Sequence, residues 1–200
     1  YPLILRKPLN KYQKDMFKIF EIKNKIIYTN GKSFNAKNIL IPTIPSPPAY
    51  SKPLINWLRK KFLNNIQKKN TRIKRIYISR SDASHRKIIN DKEISNFLEK
   101  YNFKTLILSE MKLEDQINHF RCADIIVLTH GSGGSHLLFA KKSSKIIELQ
   151  APSQINNTWC VVSKLIGCSY GFLIGDEKKN HNSNYKIDLS KLKKLINKAL

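Results

Sequence analysis

An α/β fold built on a parallel sheet follows from three features of this 200-residue chain. From residue 73 onward, short apolar runs of strand character alternate with amphipathic stretches of helical period. One of these runs, residues 124–129, is continuously apolar at its centre, as suits a strand covered on both faces. Directly after it stands Thr129-His130-Gly131-Ser132-Gly133-Gly134-Ser135-His136, a glycine-rich turn leading into a helix.

The elements follow in order. The opening run, residues 1–5, reads as a short strand. Tyr12, Met16, Ile19 and Phe20 share helical spacing and predict a helix over 11–20. Strands are expected over 25–28 and 38–41. Pro42, Pro45, Pro47, Pro48 and Pro53 then crowd into twelve residues and interrupt regular structure. A domain boundary is expected there. It divides a partial N-terminal domain, 1–50, from a Rossmann-like domain, 51–185, with 186–200 as a closing helix. The second region opens with a helix over 51–65, with Ser51 as N-cap and Pro53 in its first turn. Strands are expected over 73–79, 103–108, 124–129, 145–149 and 169–174. Helices fall between them over 91–101, 112–123, 135–142 and 155–166, and an amphipathic helix over 189–200 ends the chain. Leu113, Ile117 and Phe120 mark the apolar face of the second of these. Strand–helix–strand units of this kind make right-handed crossovers, and ligands sit beyond the carboxyl ends of the strands.

The net charge of +23 comes from 30 Lys and 7 Arg against 14 acidic residues, and the first 70 residues carry +13 of it. Lys, Asn and Ile are all abundant, as A/T-rich coding produces. Such a field attracts polyanions, anionic membranes or phosphorylated substrates without choosing among them. No apolar run approaches the roughly 20 residues of a membrane span, and no signal peptide is visible. The absence of an initial Met points to a piece of a longer protein. Cys122, Cys160 and Cys168 are odd in number and lack Cys-x-x-Cys spacing, which argues against a disulfide framework and a cysteine zinc site and suits a reducing compartment.

The glycine turn is the sharpest chemical feature. Gly131, Gly133 and Gly134 allow close backbone approach, the helix start offers unpaired N–H groups, and Ser132 and Ser135 add hydroxyls. Together they suit a diphosphate; a tight turn without a ligand is the plain alternative. The turn is no P-loop, because no Gly-Lys-Ser/Thr follows, and no Gly-x-Ser-x-Gly elbow supports an esterase. Arg80 ends the first strand of the second region and Arg86 lies six residues on. In a chain so poor in arginine, two at one strand end suit phosphate recognition, although a surface pairing with Asp82 would also account for them. Glu148, at the end of the strand after the glycine turn, suits a ribose hydroxyl or is a solvated strand end. His130 is either a general base or a structural hydrogen-bonder. Asp115 is either a loop anchor or part of a solvated helix face. No Asp-x-Asp motif and no His pair at metal spacing is present, so Arg and helix dipoles are expected to neutralise a diphosphate without a metal ion.

In combination these blocks resemble glycosyltransferase family 61. They are Tyr77-Ile78-Ser79-Arg80, Arg86 through Asn90-Asp91, Tyr101-Asn102-Phe103, Leu113-Glu114-Asp115-Gln116-Ile117, Ala123, the His130-Gly131-Ser132-Gly133 loop with Leu138-Phe139, and Ile147-Glu148-Leu149. The likeness runs over about residues 73–170 and weakly back to residue 1. The chain departs from the usual pattern at Ser132, Gly134 and His136, where Ala, Leu and Asn are common, and at Asp91 and Asp115, where Glu is common. The resemblance implies the donor half of a two-domain GT-B transferase, inverting and metal-independent. It implies a nucleotide sugar, often a UDP-sugar, as donor, a glycan or polysaccharide as acceptor, and no cofactor. Arg80, Arg86 and residues 131–135 would hold the diphosphate and Glu148 the ribose. The base would be His130 or would lie in a preceding N-terminal part. The resemblance implies action on the cytoplasmic side for a bacterial member, the compartment expected here, and in the secretory lumen for a eukaryotic one, and an anionic membrane surface is a further expected partner for the basic charge. Two other classes stay open: a basic nucleic-acid-binding protein, although no known binding motif or aromatic interleaving points to a specific nucleic acid, and a dinucleotide-dependent oxidoreductase resting on Gly131 and Gly133.

Overall fold

The computed structural model describes residues 1–41, 50–177 and 183–200. Four of the five clustered prolines, and with them the expected boundary, lie outside these residues. The chain opens with β1 (Leu3–Leu5), α1 (Lys11–Ile19) and β2 (Ile26–Tyr28), and β1 and β2 pair in parallel. Asn10 caps α1 through a capping box with Gln13. The strand expected over 38–41 does not form. Ile39, Leu40 and Ile41 are 55%, 80% and 84% exposed, so their β propensity has no partner strand to express it among the described residues.

α2 (Lys52–Asn65) starts at Ser51, whose Oγ accepts from Leu54 N at 3.3 Å, with Pro53 in the first turn. There follow β3 (Arg75–Ser79), α3 (Asp91–Glu99), β4 (Lys104–Ile107), α4 (Leu113–Cys122) and β5 (Ile125–Thr129). Next come a 3-10 helix (Ser132–Phe139), β6 (Lys145–Gln150), α5 (Thr158–Ile166) and β7 (Ser169–Ile174). A two-residue antiparallel pair, β8 (Asp176–Glu177) and β9 (Tyr185–Lys186), precedes α6 (Leu189–Ala199).

The five strands β3 to β7 form one parallel sheet in the order β4-β3-β5-β6-β7. This is a Rossmann-like α/β sheet, and the chain direction reverses between β3 and β5, where the first crossover goes one way and the second the other. The alternation of side chains splits the core in two. Ile76, Ile78, Ile126, Leu128 and Ile146 face Phe62 of α2, Phe120 of α4 and Val162 of α5. Tyr77, Val127, Ile147 and Leu149 face Ile94 and Leu98 of α3 and Leu192 and Ile196 of α6. All five residues of β5 are buried, as expected of a central strand.

The N-terminal segment is packed on this body. The Phe20 ring lies 6.0 Å from that of Trp57 and meets that of Phe62 edge-on at 4.8 Å, and Asn65 Nδ2 donates to the Ile19 carbonyl at 2.6 Å. Asn10 and Tyr12, at the start of α1, line the same cleft as the glycine turn. No helix among the described residues is long and apolar enough to cross a membrane.

Candidate functional site

β3 and β5 deliver their carboxyl ends side by side at the reversal point, the place where open α/β sheets bind ligands. At the end of β3, Ser79 Oγ donates to Asp91 Oδ2 at 2.7 Å, and the Tyr77 hydroxyl donates to the other oxygen of the same carboxylate. Asp91 is the first residue of α3, so this carboxylate ties the strand end to the helix start. Arg80 follows immediately. Its Nη1 donates to the main-chain carbonyl of His130, at the end of β5, at 2.6 Å. Burial, and next the charge of Arg86, lower the pKa of this guanidinium from its ordinary value. Its surroundings favour an anionic partner.

The glycines of the turn have specific neighbours. A Cβ on Gly131 would lie 2.6 Å from Arg80 Nη1, so the missing side chain is what lets the guanidinium lie across the backbone. A Cβ on Gly134 would run into the indole of Trp159, which packs on the turn from α5. The short helix expected over 135–142 runs instead over Ser132–Phe139 and is wound as a 3-10 helix. Two consecutive glycines have poor α propensity, and the tighter winding begins with Gly134 N donating to the Gly131 carbonyl at 3.0 Å. Arg59 of α2 donates to the carbonyls of Leu138 and, at 3.0 Å, Ala140, and so secures the far end. At the near end the first N–H groups have no intrahelical partner.

Around these parts lies a cleft of about 530 Å³, lined by Arg80, Ser132, Gly133 and Ser135 together with Ile78 and Leu108. Tyr12 and Asn10 of the N-terminal segment, Gln116 and His136 also line it, as does the Asp82 carboxylate beside Arg80. Arg80 also borders a second cavity of about 580 Å³, which holds Arg86, Ser84 and His85. Arg86 thus stands beside the glycine-turn cleft and not within it. Its backbone is left-handed, with φ of 55°, and its buried Nε has no partner. The following residues are held by β9: Tyr185 N donates to the Lys87 carbonyl at 3.1 Å, and Ile89 N to the Tyr185 carbonyl at 2.8 Å.

His130 and Glu148 are joined differently from what their positions in sequence suggest. Thr158 N donates to Asn156 Oδ1 at 3.1 Å, which turns Asn156 Nδ2 toward His130 Nε2 at 3.0 Å. That nitrogen therefore accepts, and Nδ1 donates to Glu148 Oε1 at 2.5 Å. Glu148 Oε2 accepts from Tyr170 Oη and from Gln150 Nε2, the latter at 3.2 Å. The Tyr170 hydroxyl is held well above its ordinary pKa by burial and by this carboxylate. Glu148 is 0% exposed and both its oxygens are engaged, so the ribose contact expected of it has no surface to act through. The general-base role expected of His130 meets a similar obstacle, because the nitrogen it would use already accepts from Asn156. Asp115 pairs with Lys69 at 3.0 Å on the exposed side of α4.

Gln116, His136, Tyr12 and Asn10 were not anticipated as site residues. Gln116 had a visible signal, since it is a polar residue on the apolar stripe of α4, three positions after Leu113. Tyr12 and Asn10 had none, because only the packing of α1 on α2 brings them to the cleft. Among the described residues no group of three or more His, Cys, Asp or Glu is placed to hold a metal ion. The three cysteines are free.

A Rossmann-like parallel sheet, with an arginine and a glycine turn meeting at its reversal point, defines the class of this fold as an open α/β sheet, in which ligands bind beyond the carboxyl ends of the strands. Within that class the family is specific. The Glycosyltransferase 61 family model matches residues 13–147, and the chain belongs to that family and is a glycosyltransferase. The match runs from within α1 to the middle of β6 and so includes Arg80, Arg86 and the whole glycine turn. No curated protein matches the chain.

Proposed function

We propose that this chain is the donor-binding half of a two-domain GT-B glycosyltransferase and that it binds a nucleotide sugar, a UDP-sugar, in the cleft between the ends of β3 and β5. The observation that carries this reading is the contact of Arg80 with His130 and Gly131. It fixes a guanidinium over a glycine turn whose first N–H groups lack intrahelical partners. The diphosphate lies against Arg80 and residues 131–135, with Arg86 close enough to add charge. As the bond from the anomeric carbon to the diphosphate oxygen breaks, negative charge builds on the departing nucleotide, and these fixed donors stabilise it without a metal ion. An acceptor hydroxyl of a glycan or polysaccharide attacks from the opposite side, so the configuration inverts.

In this reading His130 is a positioning residue. Its ring is locked by Glu148 and Asn156, and its carbonyl holds Arg80. The proton of the incoming hydroxyl then leaves to a group on the acceptor side. Residues 1–50 belong to that side and 51–185 to the donor side, with Tyr12 and Asn10 closing the cleft between them. The enzyme works on the cytoplasmic side, where the basic first 70 residues face an anionic membrane surface.

The test is incubation with a panel of UDP-sugars in the presence and absence of a chelator, with release of UDP as the readout. The expected result is UDP release with at least one donor, unaffected by the chelator and lost in Arg80→Ala. Release that depends on added divalent metal, or that survives Arg80→Ala at the full rate, would overturn the reading.

A further inference from the structure

Arg80 borders two cavities whose linings differ in kind. The glycine-turn cleft has apolar walls in Ile78 and Leu108 and carries the Asp82 carboxylate. The second cavity, of about 580 Å³, is lined by Arg80 and Arg86 with Ser84, His85, Ser153 and Gln154, and among the described residues nothing apolar and no carboxylate lines it. It is built from the loop after β3 and the loop after β6, the two strands that flank β5 in the sheet. Arg86 is held in place through the next residue. Lys87 N donates to Asn184 Oδ1 at 2.9 Å, and the Lys87 carbonyl accepts from Tyr185 N at 3.1 Å. Among the described residues the Arg86 guanidinium forms no ion pair, and its Nε has no hydrogen-bond partner. A guanidinium only donates, so two of them give this cavity an excess of donors over acceptors and a positive charge that nothing within it offsets.

We propose that the second cavity receives the sugar of the donor and selects one that bears a carboxylate, a hexuronic acid, with Arg86 as the residue that reads the acid. This rests on the donor-site reading above. A diphosphate held at Arg80 carries a nucleoside on one side and a sugar on the other, and Arg80 is common to both cavities. The base goes to the side with apolar walls, and the sugar to the side that is polar throughout. A neutral hexose brings hydroxyls that donate as well as accept, and a lining dominated by arginine serves those donors poorly. A carboxylate only accepts. The planar fork of an arginine meets its two oxygens with two parallel hydrogen bonds, and bonds between charged partners are stronger than neutral ones.

Calorimetric titration of the wild-type chain with UDP, UDP-glucose and UDP-glucuronic acid tests this. UDP-glucuronic acid is expected to bind at least about tenfold more tightly than UDP-glucose. The preference should persist in about 1 M salt, where the screening length is about 3 Å, because a contact pair is short-range and the attraction of the basic surface is not. In Arg86→Gln both nucleotide sugars should weaken, since the diphosphate also feels that charge, but their ratio should fall to within about threefold. Equal binding of the two to the wild type, a preference that salt abolishes, or a preference retained in Arg86→Gln overturns the assignment of the acid. If UDP itself does not bind, the donor-site reading falls and this assignment falls with it. Should Arg86→Gln not fold, the wild type in low and high salt decides the matter alone.

Discussion

Arg80 reaches from the end of β3 across to the end of β5, where its Nη1 donates to the His130 carbonyl at 2.6 Å and its guanidinium occupies the space a side chain on Gly131 would need. One arginine thereby joins the two strands that flank the reversal point of the sheet. The same arrangement explains why a glycine is needed at 131. The φ of Gly131, 161°, is extended backbone open to any residue, so the requirement comes from Arg80 and not from conformation.

Gly131→Ala is therefore expected to act through Arg80. The new methyl displaces the flexible guanidinium, so stability should change by less than about 1 kcal/mol. UDP affinity should fall about tenfold, approaching the loss in Arg80→Ala, because a charge-assisted hydrogen bond is worth about 1.5–3 kcal/mol. Titration calorimetry and urea denaturation on the same variant separate the two effects.

Gly134→Ala should do the opposite. Its methyl meets the rigid indole of Trp159, so overpacking should destabilise the fold by about 1–3 kcal/mol. Trp159→Phe in the same chain should relieve part of that cost, as a double-mutant cycle followed by urea denaturation would reveal.

Glu148→Ala leaves His130 Nδ1–H, the Tyr170 hydroxyl and the Gln150 amide without their shared acceptor. A loss on the order of 3–5 kcal/mol is expected from breaking such a buried network. A ribose-binding Glu148 would instead weaken uridine binding at unchanged stability, so the denaturation midpoint and the uridine affinity of this variant distinguish the two roles.

His136 makes stability depend on pH. Its folded pKa of about 4 lies below the ordinary histidine value, so between about pH 6.5 and 4 the unfolded chain binds a proton that the folded chain does not. Stability should then fall as pH drops through that window, by about 3 kcal/mol in all from this residue. His136→Leu should flatten the profile of urea midpoints over the same range.

These properties were unequally legible in the sequence. The sheet was readable because strands buried on both faces must be apolar throughout, as in Ile125–Thr129, and because helices of period 3.6 stand between them. The run at 38–41 has the same local character without a partner, and local pattern does not encode partners. Arg80 and the glycine turn were legible as chemistry, since rarity and spacing mark them. The contact between them was not, because it depends on strand order. Glu148 misled for the same reason: a carboxylate at a strand end looks solvated until Tyr170, on the adjacent strand β7, is folded beside it. The clustering of Gln116 and His136 in one cleft was likewise invisible, because α4 and the 3-10 helix meet only in the packed core.

The most direct test of the donor site is calorimetric titration of UDP and uridine into Arg80→Ala, Arg86→Ala and Lys68→Ala. A hydrogen bond between charged partners is worth about 1.5–3 kcal/mol, so Arg80→Ala should weaken UDP about ten- to a hundredfold and leave uridine almost unchanged. Arg86→Ala should act in the same direction through the adjoining cavity, and Lys68→Ala, at an exposed position outside both cavities, should have no effect. Equal losses of UDP affinity in all three variants, abolished by salt, would mean that the basic surface merely collects anions and would contradict a built diphosphate site.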